Sequence, residues 1–346
     1  MGGGHGSFSP AFGLGIRFRY SRLSRSCLRD FHNIGIDNVL QFTVVLADGS
    51  HVATSFYERP DLFWALRGGG GGTYGVVTSV TYKTYPIFSF TRATLTAKFA
   101  SADIAQDVTS QFIKIHPILS DAGWSASFVL SNSSFSGAVQ ATNAGWAKAS
   151  STFLSFVQYA EEATYGQVEL AITPYDTFYE FYNALPEETT GGQVELASRL
   201  LPRSLAVTDP AKAARILLSI SGATLKYVSL GDLQLKKLIC FHLFYFFKLS
   251  SIAGGAVSRA HPDSAGLNPA WRNAISEIVI AAATSDSPAA DFFVKVDYMK
   301  QSTLILDQLT TDSASYLNEV NTKFNFVIPS IYKKLISTFL HLVFSL

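Results

Sequence analysis

The sequence predicts an α+β chain made of two consecutive units. Segments with strand period and segments with helix period follow one another along the chain without an internal repeat. Five consecutive glycines, Gly68 to Gly72, stand between dense apolar flanks. Near Phe90 the texture changes, from glycine-rich turns and a hairpin to longer strands and amphipathic helices. Of 346 residues, 48% are apolar and only 15% charged, so there is enough apolar material for a sizeable core.

Charge and composition exclude several classes of function. The net charge of +1 gives no electrostatic reason to bind nucleic acid or an acidic partner. The two cysteines, Cys27 and Cys240, form no CxxC pair, and no His/Cys cluster has metal spacing, so no metal site is expected. The opening Met1-Gly2-Gly3-Gly4-His5 lacks the basic and apolar regions of a secretion signal. Residues 238–249 and 335–346 are the most apolar runs, and both fall short of the roughly 18–20 residues of a membrane span, so no membrane partner is expected.

In chain order, residues 2–15 hold six glycines and Pro10, a composition that argues against both helix and regular strand and for a loop that a ligand approaches closely. Residues 16–35 carry five arginines without a period. Val39 to Leu46 reads as a strand, Asp48-Gly49 as a hairpin turn, and His51 to Thr54 as the return. Pro60-Asp61 opens a short helix to Leu66, and Val76 to Tyr85 is a strand closed by Pro86. Further strands are read at 91–99, 125–130, 137–142, 167–173, 193–196, 227–230 and 256–259. Helices are read from Ser101, with Ile104, Val108, Phe112 and Ile115 on one face, and at 146–160, 177–185 and 210–220.

Glycine loses more conformational freedom on folding than any other residue, so a run of five calls for a cause. Either the chain needs φ > 0 there, or another body approaches too closely for a Cβ. A nucleotide cofactor is the commonest such body. Gly70, Gly72 and Gly75 satisfy the GxGxxG fingerprint, but that motif needs a strand before it and a helix after it. The order here is reversed, so a Rossmann nucleotide site is excluded.

The segment Asp61-Leu62-Phe63-Trp64-Ala65-Leu66-Arg67-Gly68-Gly69-Gly70, with Gly75-Val76-Val77-Thr78, resembles the end of the FAD-binding domain of the berberine-bridge-enzyme-like oxidoreductases. These belong to the PCMH-type, vanillyl-alcohol-oxidase flavoprotein superfamily, and the likeness is greatest to fungal members. Gly2-Gly3-Gly4-His5-Gly6-Ser7-Phe8-Ser9, then Asp37-Asn38-Val39, is similar to an earlier motif of that domain. Ser198-Arg199-Leu200, Ala253-Gly254-Gly255-Ala256-Val257, Asn268-Pro269-Ala270-Trp271-Arg272 and Tyr316-Leu317-Asn318-Glu319 follow in family order.

The resemblance implies residues 1–88 as the C-terminal part of a PCMH-type FAD-binding domain. It implies 89–323 as an α+β substrate domain whose antiparallel sheet is covered by helices. Residues 16–35, 232–252 and 324–346 interrupt the family pattern and are odd in composition, and they read as translated introns. The family's pyrophosphate loop and its flavin-linking histidine precede the equivalent of Gly2, so His5 is not assigned a covalent link.

The implied cofactor is FAD, held by Gly3, Gly4, His5, Gly6, Ser9, Gly70, Gly71, Gly72, Gly75, Val76 and Val77. The implied reaction takes a hydride from an alcohol or similar C–H of a small molecule or sugar, with O2 reoxidising the flavin. A truncated, inactive chain that cannot hold FAD is the alternative. No catalytic base is assigned; Glu319 and Tyr316 are the acid and phenol placed by motif, while His116, His261 and Arg272 read as core or surface residues.

Overall fold

The glycine-rich opening pairs with itself. Strand β1 (Gly2–Gly4) runs antiparallel to β2 (Gly15–Arg17), and α1 (Ser9–Phe12) makes one helical turn between them. The sequence argues against both kinds of structure here. Backbone pairing needs no side chain, however, and a proline in the first turn of a helix forfeits no hydrogen bond. The computed structural model describes residues 2–4, 8–12, 15–17, 36–69, 73–184, 193–222, 244–251, 253–284, 289–309 and 313–315. The expected strand at 227–230, both cysteines and the segment 324–346 lie outside them.

The first sheet has the order β4-β3-β5. Strand β3 (Val39–Val45) hairpins into β4 (His51–Ser55) through Gly49, at φ +82°. The Asp48 carboxylate accepts from the Ser50 amide and hydroxyl at 2.9 and 2.7 Å, which fixes the turn. Helix α2 (Pro60–Leu66) leads into the glycine run, and β5 (Val76–Tyr82) returns along the other edge of β3.

The second sheet starts with β6 (Phe90–Lys98), then α3 (Ala102–Asp121), β7 (Ser125–Leu130) and β8 (Ser134–Thr142). The Ser101 hydroxyl caps α3 by accepting from the Ile104 amide, and the helix passes Pro117 to reach Asp121, a turn and a half beyond its expected face. Next come α4 (Asn143–Ala163), β9 (Val168–Tyr175), α5 (Phe178–Ala184) and β10 (Gln193–Pro202). Then follow α6 (Arg203–Thr208), α7 (Pro210–Gly222), β11 (Phe244–Ser251), α8 (Ala256–Arg259), α9 (Ala270–Asn273), β12 (Ala274–Thr284) and α10 (Ala289–Leu306).

Residues 256–259 are therefore helical, not a strand. Gly254 and Gly255, at φ +79° and +51°, turn the chain sharply just before them. A Cβ on Gly255 would lie 2.2 Å from the Pro10 carbonyl oxygen and 2.3 Å from that of Ser120, so only glycine lets α1, α3 and α8 meet.

The seven strands run in the order β10-β12-β11-β7-β8-β6-β9, all antiparallel. Strand β11 lies within 232–252, yet it pairs with β12 on one side and β7 on the other, and so joins the two halves of the sheet. One face carries the main core. Leu95, Phe128, Phe135, Val139, Leu249, Ile278 and Ile280 meet Phe112 of α3, Phe153 of α4 and Leu217 of α7. The Phe112 ring lies 4.9 Å from that of Phe128 and 5.0 Å from that of Phe135, edge to face. Each buried phenylalanine contributes roughly 1.5–3 kcal/mol by transfer from water.

A second apolar cluster crosses the expected boundary at 88. Ile36, Val39, Phe42, Val44 and Phe63 pack with Leu200, Ala253, Val257, Ala265, Trp271 and Ala274.

Candidate functional site: the glycine turn and the uncovered sheet face

The C-terminus of α2 is sealed by a distant loop. The Gly266 amide donates to the Trp64 carbonyl, and the Gly69 amide to that of Ala65, both at 2.9 Å. The Trp64 indole donates to the Asp263 carbonyl at 2.7 Å, and the Arg67 guanidinium to that of Ser264. The first two bonds satisfy two of the carbonyls that a helix end leaves open, and the other two tie Trp64 and Arg67 to the loop.

Much of the glycine requirement is met inside the protein. Gly68 has φ +113°, and a Cβ there would stand 2.8 Å from the Leu267 backbone. Gly75 has φ +144°, and a Cβ there would stand 2.6 Å from the Val45 carbonyl oxygen and 2.7 Å from Val44 Cγ1. The close approach that excludes a side chain at Gly75 is thus that of β3. Gly70, Gly71 and Gly72 lie outside the described residues, as do His5 and Gly6.

The remaining candidates fall into place around these. Gly3 and Gly4 are in β1, opposite Ile16 and Gly15. Ser9 is fully buried at the start of α1. Val77 is part of the apolar packing below the first sheet, while Val76 is 68% exposed and follows Tyr74, 36% exposed.

The segment 2–12 is tied to the second sheet by Phe8. Its ring meets Phe88 at 5.2 Å and Phe90 at 5.0 Å, and it is 1% exposed. Phe90, Phe178, Phe181 and Tyr175 complete this aromatic cluster. Through it the glycine-rich opening reaches the face of the second sheet that α3, α4 and α7 leave uncovered, where α5 packs on the Phe90 end.

The parity of β6 shows that face. Ala93, Leu95 and Ala97 point into the helix-side core, so Arg92, Thr94, Thr96 and Lys98 point away from it. On β8 and β7 the same face presents Ser136, Ala138 and Gln140, then Ser127 and Val129. On β9 it presents Glu169, Ala171 and Thr173. Thr94, Ser127, Ala171 and Thr173 are exposed, and the Thr96 and Ser136 hydroxyls bond at 2.9 Å. Glu277 of β12 faces the same way and is fully buried. Hydroxyl and amide groups thus cover a broad sheet face, the kind of surface that orients a polar small molecule. Sequence reasoning missed these residues. Their signal was the polar half of each strand's alternation, which also marks an ordinary solvated face.

Two sequence motifs meet as structure. Asp37 receives two hydrogen bonds from Arg272, and Asn38 accepts from the Tyr85 hydroxyl at 2.7 Å. Burial, and to a lesser degree the Asp37 charge, push the Tyr85 phenol up. Burial depresses the nearby Arg67, whose guanidinium lies 4.4 Å over the Phe63 ring and 4.6 Å over that of Phe56. His116 is in the core beside Ser276, and His261 is exposed. Tyr316 and Glu319 lie outside the described residues. Among the described residues no group of three metal-ligating side chains comes together, and no helix is long and apolar enough to cross a membrane.

Comparison with known proteins adds the context. No family model matches the chain. The FAD-linked oxidoreductase patO of Aspergillus clavatus is 28% identical over 333 residues, covering 93% of this chain and 50% of patO. The FAD-linked oxidoreductase malF of Malbranchea aurantiaca is 37% identical over 142 residues, 41% of this chain and 22% of malF. The crystal structure of the VAO-type flavoprotein MtVAO713 from Myceliophthora thermophila superposes with a TM-score of 0.74 at 22% identity, over 96% of this chain and 55% of that one. The chain spans about half the length, at most, of the curated relatives it matches.

Proposed function

Because the chain is a relative of the FAD-linked, VAO-type flavoproteins, we propose that it acts as an FAD-dependent oxidoreductase of the oxidase type. Its substrate is a small molecule or sugar that gives up a hydride from an alcohol or similar C–H, and O2 is the electron acceptor. The observation that carries this reading is the likeness to patO, which runs through 93% of the chain. Chitooligosaccharide oxidase and a xylooligosaccharide oxidase crystallised with xylobiose share the fold, which supports a sugar or similarly hydroxylated substrate.

Bound FAD supplies the hydride-accepting ring. The chain supplies binding and orientation. Gly3, Gly4, His5, Gly6 and Ser9 form one edge of the proposed cofactor site, and Gly70, Gly71, Gly72, Gly75, Val76 and Val77 the other. Backbone N–H groups at the glycines would donate to oxygen atoms of the nucleotide. Val76, exposed beside Gly75, would give the bound cofactor an apolar neighbour. The hydroxyl- and amide-lined face of the second sheet holds the substrate by hydrogen bonds.

The test is the visible spectrum of the purified chain, followed by oxygen uptake with a panel of alcohols and oligosaccharides. Flavin bands near about 375 and 450 nm, with substrate-dependent oxygen uptake, are expected. A folded, colourless protein that stays colourless on incubation with FAD overturns the proposal.

A further inference from the structure

Arg92 stands out on the uncovered face. Its register neighbours are Gln140 on β8 and Thr173 on β9, both uncharged. Its guanidinium carbon lies 5.0 Å over the ring of Phe181. The side chain is half-buried, and its Nε is withdrawn from solvent without a hydrogen-bond partner among the described residues. Within those residues, the arginines that pair with carboxylates are Arg59, Arg199, Arg203 and Arg272. Arg92 is not one of them.

The nearby acids are placed elsewhere. Glu180 adjoins Phe181 in sequence, but its carboxylate accepts from the Asp176 amide at 3.2 Å. Glu169 shares the face but stands four residues along β9 from Thr173, roughly 13 Å away. Among the described residues, then, no carboxylate forms an ion pair with Arg92. The aromatic stack holds the guanidinium plane in place, so little rotamer freedom is lost when a ligand binds it.

Its location joins it to the proposed cofactor region. Phe90, two residues earlier on the same face, contacts both Phe8 and Phe181, with ring centroids 5.0 and 5.5 Å away. Phe8 belongs to the first glycine motif. Arg92 is thus one strand step, about 7 Å, from the point where that motif meets the sheet.

We propose that Arg92 is a substrate-recognition residue for a carboxylate, so that the hydroxylated small-molecule substrate also carries an acid group. A planar guanidinium with free N–H edges matches a carboxylate through two parallel hydrogen bonds. Thr173, exposed beside it on β9, offers a neutral donor to the rest of the molecule. The inference rests on the reading of this face as the substrate side, but it does not require bound flavin.

Isothermal titration of the purified protein with benzoate and with benzamide, its neutral analogue, tests it, with flavin content read separately from absorbance. Benzoate is expected to bind at least tenfold more tightly than benzamide. Arg92→Gln is expected to abolish that preference, and Phe181→Leu to reduce it severalfold. Equal binding of the two probes, no binding of benzoate, or a preference that survives Arg92→Gln overturns the proposal. Should Arg92→Gln fail to fold, Arg92→Lys decides, because it keeps the charge but loses the planar fork. A preference reduced threefold or more supports the proposal, and an unchanged one overturns it. A colourless protein that still prefers benzoate separates this inference from the oxidase reading.

Discussion

Arg272 and Asp37 lie 235 residues apart in sequence and form a two-pronged ion pair, at 2.8 and 2.7 Å, with Arg272 2% and Asp37 14% exposed. Arg272 also donates to the Val257 carbonyl at 3.1 Å. The pair fastens the first sheet to α8 and α9 across the apolar cluster that the two expected domains share. Removing one partner leaves the other charge buried and uncompensated, which ordinarily costs about 3–5 kcal/mol. Asp37→Ala is therefore expected to lower stability by roughly 3–5 kcal/mol, measured by urea denaturation. Pairing it with Arg272→Met should recover a large part of the loss, because neither charge then remains.

Gly75 offers a test of what the glycine run is for. At φ +144°, with a Cβ position 2.6 Å from the Val45 carbonyl oxygen, Gly75→Ala must displace β3 from β5. A loss of about 2–3 kcal/mol is expected. Gly49, at φ +82° with nothing within 4 Å of its Cβ position, is the control. Gly49→Ala carries only the backbone strain, about 1 kcal/mol. Equal losses in the two variants would show that packing against β3 does not set the requirement at Gly75.

The contrast between those glycines shows what was legible in the sequence. Hairpin, helix starts and most strands were written in local chemistry: Asp48-Gly49, the Ser101 cap, the alternation of β7. The glycine run announced a close approach but not the approaching body, because Leu267 and Val45 reach Gly68 and Gly75 only through tertiary folding. Residues 256–259 were misread for the same reason, since the contact of Gly255 with Pro10 and Ser120 appears only in three dimensions. Arg92 looks like any surface arginine until strand register sets it between Gln140 and Thr173 and α5 brings Phe181 beneath it. The cofactor came from motif resemblance alone, and no periodicity in the chain encodes it.

His116 makes stability depend on pH. It is fully buried against Ser276 and Phe112, and burial holds its pKa down to about 3, against about 6.5 unfolded. Below about pH 6.5 the unfolded chain takes up a proton that the folded chain refuses. Stability from this group is thus complete above pH 6.5 and is lost as pH falls toward 3, by up to about 1.4 kcal/mol per pH unit. Between pH 7 and pH 5 the loss should be roughly 2 kcal/mol. In His116→Leu this component of the slope should vanish, as read from urea midpoints at the two pH values.

Phe8 connects packing to the proposed chemistry. Its ring is 1% exposed and fills the space between Phe88, Phe90 and Phe178. Truncating a buried phenylalanine to alanine costs about 3–5 kcal/mol where the cavity cannot collapse. The loss here should be concentrated in the segment around α1, because the main core under α3, α4 and α7 is a separate cluster. Phe8→Ala is therefore expected to keep the far-ultraviolet dichroism of the second sheet and its helices while lowering flavin bound per polypeptide severalfold. Phe8→Leu, which refills most of the volume, should restore much of the flavin. Unchanged flavin content in Phe8→Ala would mean that the first glycine motif does not depend on the aromatic cluster for its position. It would also remove the structural link between the proposed cofactor edge and Arg92.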